Sequence, residues 1–391
     1  MARKAAAGTG TIRKKSVTRN GKEYTYWEAR YTEGYDPGTG KQIQRSITGK
    51  TQKEVAQKLK SVTASIDSRT YTPPTKLTVG QWLDIWAEEY LVGIKPLTAS
   101  SYKTAVNIHL KPGLGAIKLE ALDSHTIQNF YNSLTSKKQL SPKTIKNIHG
   151  VLHRALEKAV ANKYMAFNPA DSCELPRIEK KEIQPLDEDQ ISAFLKAIKG
   201  HKFEDLLIIT LFTGMREGEA LGLTWDCVDM ARGTIVINKQ LQPTKGSRGI
   251  YTLVPTKNNK GRTLTIAPSV ISVLKRVKHH QLENRLKYGE CWFNSGFVFT
   301  DELGNHLKHV TVYKSFKRIV AELGWPDVRF HDLRHSYAVA SIKSGDDIKT
   351  VQENLGHATA SFTLDVYGHV TEQMKRDSAA RMEQFIKTVN L

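Results

Sequence analysis

The chain has 391 residues, enough for two or three domains that each bury a core. Its hydrophobic content of 39% and charged content of 25% are ordinary for a globular protein, and no apolar run reaches the ~20 residues of a membrane span. Three scattered cysteines and the lack of a recognisable secretory signal predict a cytoplasmic protein without disulfides. The net charge of +19 points to a polyanionic partner, most simply nucleic acid, with a ribosome-associated or merely soluble basic protein as the alternative.

Residues 1–67 are predicted to form a small sheet followed by a helix. The segments GTGTIRKKSV, KEYTYWEARYT and KQIQRSITG have strand composition and are separated by turn signals. In TQKE, Thr51 stands three residues before Glu54, the capping-box spacing that predicts a helix start. Residues 1–75 contain 15 Lys/Arg and 6 Asp/Glu, a net +9, so this part of the chain carries nearly half of the excess charge.

A basic sheet of this kind is able to lie in the major groove of DNA, as other β-ribbon proteins do. The residues that we expect to contact DNA are Arg13, Lys14, Lys15, Arg30 and Arg45. The alternative is a solvated sheet face.

A Pro-Pro linker, 68–78, precedes a helical region, 79–173. In SPKTIKNIHGVLHRALEKAVANK, Ser141 is the predicted N-cap and Pro142 the first helical residue. Its apolar stripe is expected to be core, and its other faces to meet phosphates or to remain solvated. The basic residues on those faces are Lys143, Lys146, Arg154 and Lys158.

A second linker, 174–185, leads into a mixed region, 186–391. Helices are predicted at 188–198, 203–213 and 217–223, followed by a strand at GTIVINK and a hairpin-like YTLVPTKNNKGRTLTIA. More helices are expected to complete the chain. The predicted fold class is therefore a multidomain α+β protein. It combines a three-stranded sheet with a helix, an all-α domain, and a mixed, mainly helical domain with a small sheet.

Chemically unusual side chains occur in four segments of this region. In LFTGMREGEALGL, Gly214 interrupts a helix before Arg216, which is suited to binding an oxyanion, with Glu219 to orient it. Lys257 is predicted on the hairpin, where a lysine can protonate a leaving oxygen. His357 and Tyr367 follow in VQENLGHATASFTLDVYGHV.

The fourth segment, HDLRH, has two histidines at the spacing of the H-E-x-x-H motif of zinc peptidases. On a helix, His331, Arg334 and His335 share one face, which puts a fixed positive charge where a zinc ion would sit. A metallopeptidase with His357 as a third ligand remains an alternative, although Asp332 would have to act as its base.

Arg216, Lys257, His331, Arg334, His357 and Tyr367, in that order, resemble the active site of the tyrosine recombinases, the family of phage and conjugative-transposon integrases. The matching segments are TGMREGEALGL, TKNNKGRTLTI, HDLRHSYAV and LGHATASFTLDVYGHV. Ser336 departs from the threonine of many relatives but keeps a hydroxyl group. The resemblance implies an arm-type DNA-binding domain at 1–67, a core-binding domain at 79–173 and a catalytic domain at 186–391.

The resemblance also implies the role of each residue. Tyr367 attacks the scissile phosphate and forms a 3′-phosphotyrosine bond. Arg216 and Arg334 grip the non-bridging oxygens, and Lys257 protonates the leaving oxygen. His331 and His357 donate hydrogen bonds to the phosphate, with His331 also a candidate acceptor for the tyrosine proton. Glu219 supports the site. Neither a metal nor another cofactor is expected.

The implied partners are double-stranded DNA at core and arm sites, three further copies in a synaptic tetramer, and accessory DNA-bending or excision factors. The C-terminal segment has an apolar face that docks on a neighbouring protomer or packs on its own domain, formed by Met374, Ala379, Met382, Phe385 and Ile386. Two rival functions are a DNA-binding regulator without catalysis and a type IB topoisomerase.

Overall fold

The computed structural model describes residues 11–36, 38–68, 71, 76–179, 184–244, 249–256, 261–357, 359 and 371–388, with only the backbone described at 19, 371–375, 377 and 378. The chain divides into two compact units, Met1–Glu179 and Lys180–Leu391, and the division lies inside the predicted linker 174–185. Within the ranges given above, no helix has the length and apolar character needed to cross a membrane.

The first unit begins with an antiparallel sheet in the order β1-β2-β3, followed by a helix. The elements are β1 (Thr11–Arg19), β2 (Lys22–Tyr35), β3 (Gln42–Gly49) and α1 (Gln52–Asp67). The predicted capping box at the start of α1 is half formed. Thr51 Oγ1 accepts from the Glu54 N–H at 3.2 Å, but the Glu54 carboxylate accepts from the Lys50 N–H at 3.0 Å.

The rest of the first unit is helical, as predicted. Its helices are α2 (Val79–Glu89), α3 (Pro96–Ala105), α4 (Lys111–Leu114), α5 (Ser124–Ser136) and α6 (Pro142–Ala161). A π-helical turn, Val106–Leu110, joins α3 to α4, and a 3-10 turn, Leu119–Ala121, precedes α5. Ser141 caps α6 by accepting from the Thr144 N–H. The apolar stripe of α6 is buried, and Trp82 Nε1 donates to the Ala155 carbonyl at 2.9 Å.

In the described residues of the second unit, two small antiparallel sheets lie among helices. Its helices are α7 (Glu188–Ala197), α8 (Glu204–Thr213), α9 (Glu217–Leu221), α10 (Pro268–Tyr288), α11 (His309–Glu322), α12 (Asp332–Lys343), α13 (Ile348–Leu355) and α14 (Thr371–Thr388). Its strands are β4 (Val228–Asp229), β5 (Thr234–Ile237), β6 (Lys239–Pro243), β7 (Tyr251–Pro255) and β8 (Arg262–Thr265). Short 3-10 turns occupy Trp225–Cys227 and Gly289–Cys291. This architecture confirms the predicted fold class.

The predicted hairpin of β7 with β8 is wrong. β8 pairs with β5 in the sheet β4-β5-β8, whereas β7 pairs with β6 in a separate sheet. Leu264 of β8 lies opposite Ile235, and both are buried in the core. Alternation along a strand indicates which residues point inward, but it does not determine which strand lies next to it.

Ser336 joins Leu186, near the start of the second unit, to α12. Its Oγ accepts a hydrogen bond from the Leu186 N–H at 2.8 Å and donates one to the Asp332 carbonyl at 2.8 Å. Both Ser336 and Leu186 are buried. The chain that follows the predicted linker is thus fixed to α12.

We expect Ser336→Ala to leave the buried Leu186 N–H without its acceptor, at a cost of about 1–3 kcal/mol. Hydrogen–deuterium exchange at the Leu186 amide should accelerate accordingly. Ser336→Thr keeps the hydroxyl group and is the matched control. Equal protection of this amide in the wild type and in Ser336→Ala would contradict the assigned role.

Candidate active site and nucleic-acid contacts

Arg216 lies in the junction between α8 and α9, as the sequence predicts. α8 ends at Gly214, which has a left-handed φ of 62°. A Cβ atom at this position would lie 2.5 Å from the ring of Tyr337, so both the conformation and the available space require glycine. Arg216 is the N-cap of α9, and its side chain is 31% exposed.

Glu219 is a buried carboxylate that binds two arginines. Oε1 accepts from Arg216 Nη1 at 2.7 Å and from Arg262 Nη1 at 3.1 Å. Oε2 accepts from the Arg216 N–H at 2.9 Å and from Arg262 Nη2 at 2.7 Å. Burial by itself would raise the pKa of Glu219, but the hydrogen bond and charge of Arg262 and the charge of Arg216 lower it to about 2. The carboxylate is therefore ionised at any physiological pH.

The C-terminus of α13 is the second anchor of the site. The Asn354 carbonyl accepts from Arg262 Nε at 2.7 Å, the Leu355 carbonyl from Arg334 Nη2, and the Gly356 carbonyl from Arg216 Nη2 at 3.5 Å. Three consecutive carbonyls thus bind three different guanidinium groups. These carbonyls form the negative end of the helix dipole, which favours cations at this position.

Arg334 is 1% exposed, and its Nη1 also donates to the Gly214 carbonyl at 2.8 Å. It therefore ties the glycine turn before Arg216 to the end of α13. Gly356 ends α13 with a φ of 63°, and its neighbour His357 follows directly after the three carbonyls.

Two histidines border this cationic cluster. His331 immediately precedes α12, and its ring lies 5.0 Å from that of His335 in an edge-to-face arrangement. Partial burial and the charges of Arg334 and Arg216 lower the pKa of His331. The same causes lower the pKa of His357 to about 3. Both imidazoles are therefore mainly neutral at pH 7.

The geometry of HDLRH does not support the metallopeptidase alternative. Both Asp332 oxygens accept from Arg329, with Oδ1 2.7 Å from Nη2 and Oδ2 3.2 Å from Nε. The Asp332 carboxylate is therefore paired with Arg329, which precedes α12, and is not placed to act as the base of a peptidase. In the part of the chain that the structure describes, no group of three or more His, Cys, Asp or Glu is placed to hold a metal ion.

Of the predicted site residues, the structure brings together Arg216, Glu219, His331, Arg334 and His357. Lys257 and Tyr367 lie outside the described residues. Near this segment, Thr256 is buried and Arg262 binds Glu219.

Arg262 is the site residue that the sequence analysis missed. The segment RTLTI contains a signal for it, because Arg262 alternates in phase with the buried Leu264 and Ile266. An arginine on the inward face of a strand requires a buried partner. The identity of that partner, Glu219, is not visible in the sequence.

On the N-terminal sheet, the register separates the five predicted DNA-contact residues into two sets. Ala29 and Tyr31 of β2 pack with α1, so residues 28 and 30 face the opposite, open side. By cross-strand pairing, the open face carries Arg13, Lys15 and Arg30. The face toward α1 carries Lys14, opposite Trp27, and Arg45, opposite Tyr31.

The open face is organised around the carboxylate of Glu28, which is 6% exposed. It accepts from Arg13 Nη2 at 2.8 Å and from Lys15 Nζ at 3.1 Å, and Arg30 Nε lies 3.8 Å from it. Hydrogen bonds from Lys15 and Arg13 lower the pKa of Glu28. Three cations around one anion leave this face with excess positive charge.

On α6, Lys143 and Lys146 are exposed, as a phosphate-contacting role requires. Arg154 is also exposed, but its Nη1 donates to Tyr102 Oη at 2.6 Å, and its guanidinium lies 5.5 Å from the centre of that ring. The orientation of Arg154 is thus fixed by a neighbouring helix.

The family of this chain follows from its similarity to known proteins. Residues 184–374 match the phage integrase family, and residues 78–135 match the phage integrase N-terminal SAM-like domain. A tyrosine recombinase XerC-like protein of Caldanaerobacter subterraneus subsp. tengcongensis is 31% identical, over 94% of this chain and 97% of that protein. The chain belongs to the phage integrase family of tyrosine recombinases. This result confirms the predicted family and class of enzyme.

The recombinase also resembles the ICEBs1 integrase of Bacillus subtilis, which is 23% identical over 90% of this chain and 95% of that protein. Among solved structures, the Tn1549 transposon integrase in complex with transposon right end DNA has a TM-score of 0.68 and 23% identity, covering 78% of this chain and 100% of that one. A lambda integrase tetramer bound to a Holliday junction has a TM-score of 0.57 and 19% identity, covering 88% and 93%. These structures support the fold.

The lowered pKa of His357 has a consequence for stability. As pH falls below about 6.5, the unfolded chain takes up a proton at this histidine, but the folded chain does not until about pH 3. Stability is therefore lost as pH falls, by up to ~1.4 kcal/mol per pH unit for this group. We expect thermal unfolding between pH 7 and 5 to depend less steeply on pH in His357→Gln than in the wild type.

The control for this experiment is His280→Gln, at an exposed histidine of α10. It should retain the wild-type pH dependence. An equally steep dependence in wild type and His357→Gln would show that His357 titrates alike in the folded and unfolded states.

Proposed function

We propose that this recombinase cuts and rejoins DNA at defined sites of a mobile element, integrating and excising it through a covalent 3′-phosphotyrosine intermediate. The observation that carries the proposal is the convergence of Arg216, Arg334 and His357 at the end of α13. Such a cluster of fixed donors is complementary to a phosphate group that gains negative charge during the reaction.

In the proposed reaction, Tyr367 Oη attacks the scissile phosphorus, and the bond from phosphorus to the 5′ oxygen breaks. His331 accepts the tyrosine proton, and Lys257 gives a proton to the leaving 5′ oxygen. The free 5′-hydroxyl of another strand then attacks the phosphotyrosine and reverses the step. One ester bond replaces another in each step, so ATP is not required.

The electrostatics of the site favour this assignment. Because its pKa is lowered, His331 is mainly neutral at pH 7 and can accept a proton. Arg216 and Arg334 supply positive charge that other phosphotransfer enzymes obtain from a metal ion. Loss of one such donor, as in Arg216→Ala, is expected to slow cleavage by about 10²–10³-fold.

We further propose three functional domains. Residues 79–173, which include Lys143 and Lys146, bind the core site together with the catalytic domain, 186–391. Residues 1–67 bind a separate arm site through the open face of the sheet. The linkers are 68–78 and 174–185. Accessory DNA-bending or excision factors would act on the same DNA, and the reaction would take place in the cytoplasm.

The active form is proposed to be a tetramer on two synapsed DNA sites, because strand exchange requires several active sites. α14 offers a contact for this assembly, since Met382 is 57% exposed and Phe385 is 61% exposed. Large apolar side chains on one helix favour docking on a partner. We therefore prefer docking on a neighbouring protomer over packing on the same domain. Met374, the first predicted residue of this face, lies where only the backbone is described.

The direct test of the chemistry uses DNA with the junctions that flank the element, nicked so that the cleaved end diffuses away. We expect the wild type in EDTA to give a protein–DNA band that resists denaturant, because Tyr367 remains esterified to the trapped strand. Tyr367→Phe lacks the nucleophilic oxygen and should bind the same DNA without giving the band.

Two outcomes would refute the proposed function. Tight, site-specific binding without a covalent band in the wild type would indicate a DNA-binding regulator. Covalent cleavage of any sequence, with relaxation of any supercoiled plasmid by a monomer, would indicate a type IB topoisomerase.

The two faces of the N-terminal sheet provide a test of arm binding. Arg30→Ala removes a cation from the open face and should weaken binding to arm-site DNA. It should also reduce the slope of log affinity against log salt concentration by about one, as expected for one lost phosphate contact. Lys14→Ala, which removes the same charge from the opposite face, is the matched control. If the two variants weaken binding equally, the open face is not the DNA-binding surface.

A further inference from the structure

We propose that Arg262 is a positioning residue for the recombination reaction, and that it holds Arg216 and the end of α13 in one arrangement without contacting DNA. The inference rests on the proposed function, because it assigns Arg262 a part in the cleavage step. It adds a residue at the start of β8 to a site otherwise built from α9, α12 and α13.

The contacts of Arg262 are those of a buried connector. Its two terminal nitrogens bind the two oxygens of Glu219 at 3.1 and 2.7 Å, a bidentate arrangement that fixes the carboxylate in position and orientation. Its Nε donates to the Asn354 carbonyl at 2.7 Å. The side chains of Arg262 and Glu219 are 10% and 2% exposed, so solvent screens this pair weakly.

Through Glu219, Arg262 acts on Arg216. Glu219 Oε1 accepts from both guanidinium groups, and Oε2 also accepts from the backbone N–H of Arg216. The side chain and the backbone of Arg216 are therefore oriented by a carboxylate that Arg262 holds in place. A displacement of Arg216 by about 1 Å would move its guanidinium out of position for the phosphate and would slow the reaction.

Through Asn354, Arg262 acts on His357. The end of α13 approaches Arg262 so closely that a Cβ atom at Gly356 would lie 3.1 Å from Arg262 Cδ. The same glycine has a left-handed φ of 63° and turns the chain toward His357. The side chain of Arg262 thus packs closely against the turn at Gly356. Together they fix the position of His357, the residue that follows the end of α13.

Arg262 also keeps the carboxylate of Glu219 ionised, in addition to holding it in position. Glu219 is buried, and the largest contribution that keeps its pKa low is the hydrogen bond from Arg262. Without Arg262, burial raises the pKa of Glu219, so that protonation at moderately acidic pH weakens its bond to Arg216. A loss of Arg262 is therefore expected to introduce a new dependence of the cleavage rate on pH.

The experiment measures covalent cleavage of the nicked junction DNA at saturating protein between pH 5 and 8, together with binding affinity for the same DNA. We expect Arg262→Met to bind with near wild-type affinity but to cleave about 10–100-fold more slowly. Its rate should fall further with decreasing pH, by up to about tenfold per unit, in a range where the wild-type rate changes less. Arg262→Met combined with Glu219→Gln should lack this additional dependence, because the titrating carboxyl group is gone.

Arg262→Lys separates charge from geometry. It keeps a positive charge near Glu219, so its pH dependence should resemble that of the wild type. It cannot bind Glu219 in a bidentate manner and reach Asn354 at once, so its rate should stay low. Arg232→Met, at an exposed arginine of the same unit, is the matched control and should behave as the wild type.

Wild-type rates and pH dependence in Arg262→Met would overturn the inference while leaving the proposed function intact. If Arg262→Met does not fold, Arg262→Lys decides: slower cleavage with unchanged affinity supports the inference, and a wild-type rate overturns it. If the wild type itself forms no covalent product, the proposed function fails and the inference fails with it.

Discussion

The concentration of positive charge at the C-terminus of α13 is the constraint on which the second unit depends. Three guanidinium groups lie there within hydrogen-bonding distance of three consecutive carbonyls, at residues 354–356. Like charges at such distances repel, and two of the arginines are largely buried. The repulsion is offset by one buried carboxylate, Glu219, and by the negative end of the helix dipole. The cationic cluster is therefore assembled by contacts within the fold.

This constraint explains the two glycines that end helices at the site. α8 ends at Gly214 and α13 at Gly356, each in a left-handed conformation. Each glycine turns its own carbonyl toward an arginine, so that Gly214 binds Arg334 and Gly356 binds Arg216. A side chain at either position would meet a neighbouring residue. At this site the two helix ends turn the chain, and their carbonyl groups also accept hydrogen bonds from guanidinium groups.

The N-terminal sheet uses the same physical principle on a smaller scale. Glu28 binds Arg13 and Lys15 on the open face, as Glu219 binds Arg216 and Arg262 in the second unit. In both places a carboxylate reduces repulsion between cations and fixes their direction, while the surrounding charge stays positive. Without such a carboxylate, neighbouring Arg and Lys side chains would repel one another and extend into solvent in no fixed direction. Glu28 would therefore contribute indirectly to the DNA binding that we propose for this face.

The sequence by itself determined the element types, the fold class and, through the order of six residue types, the family. These features are local, because caps, alternation and helical spacing act between residues close in the chain. The tertiary structure decided which strands pair, as the separation of β7 from β8 shows, and which face of the sheet carries Arg13 and Arg30. It also decided the role of Arg262, whose partners Glu219 and Asn354 lie 43 and 92 residues away in the sequence. Long-range packing selects these partners. A local sequence pattern relates residues that are close in the chain, so it does not show which distant buried groups the fold brings into contact.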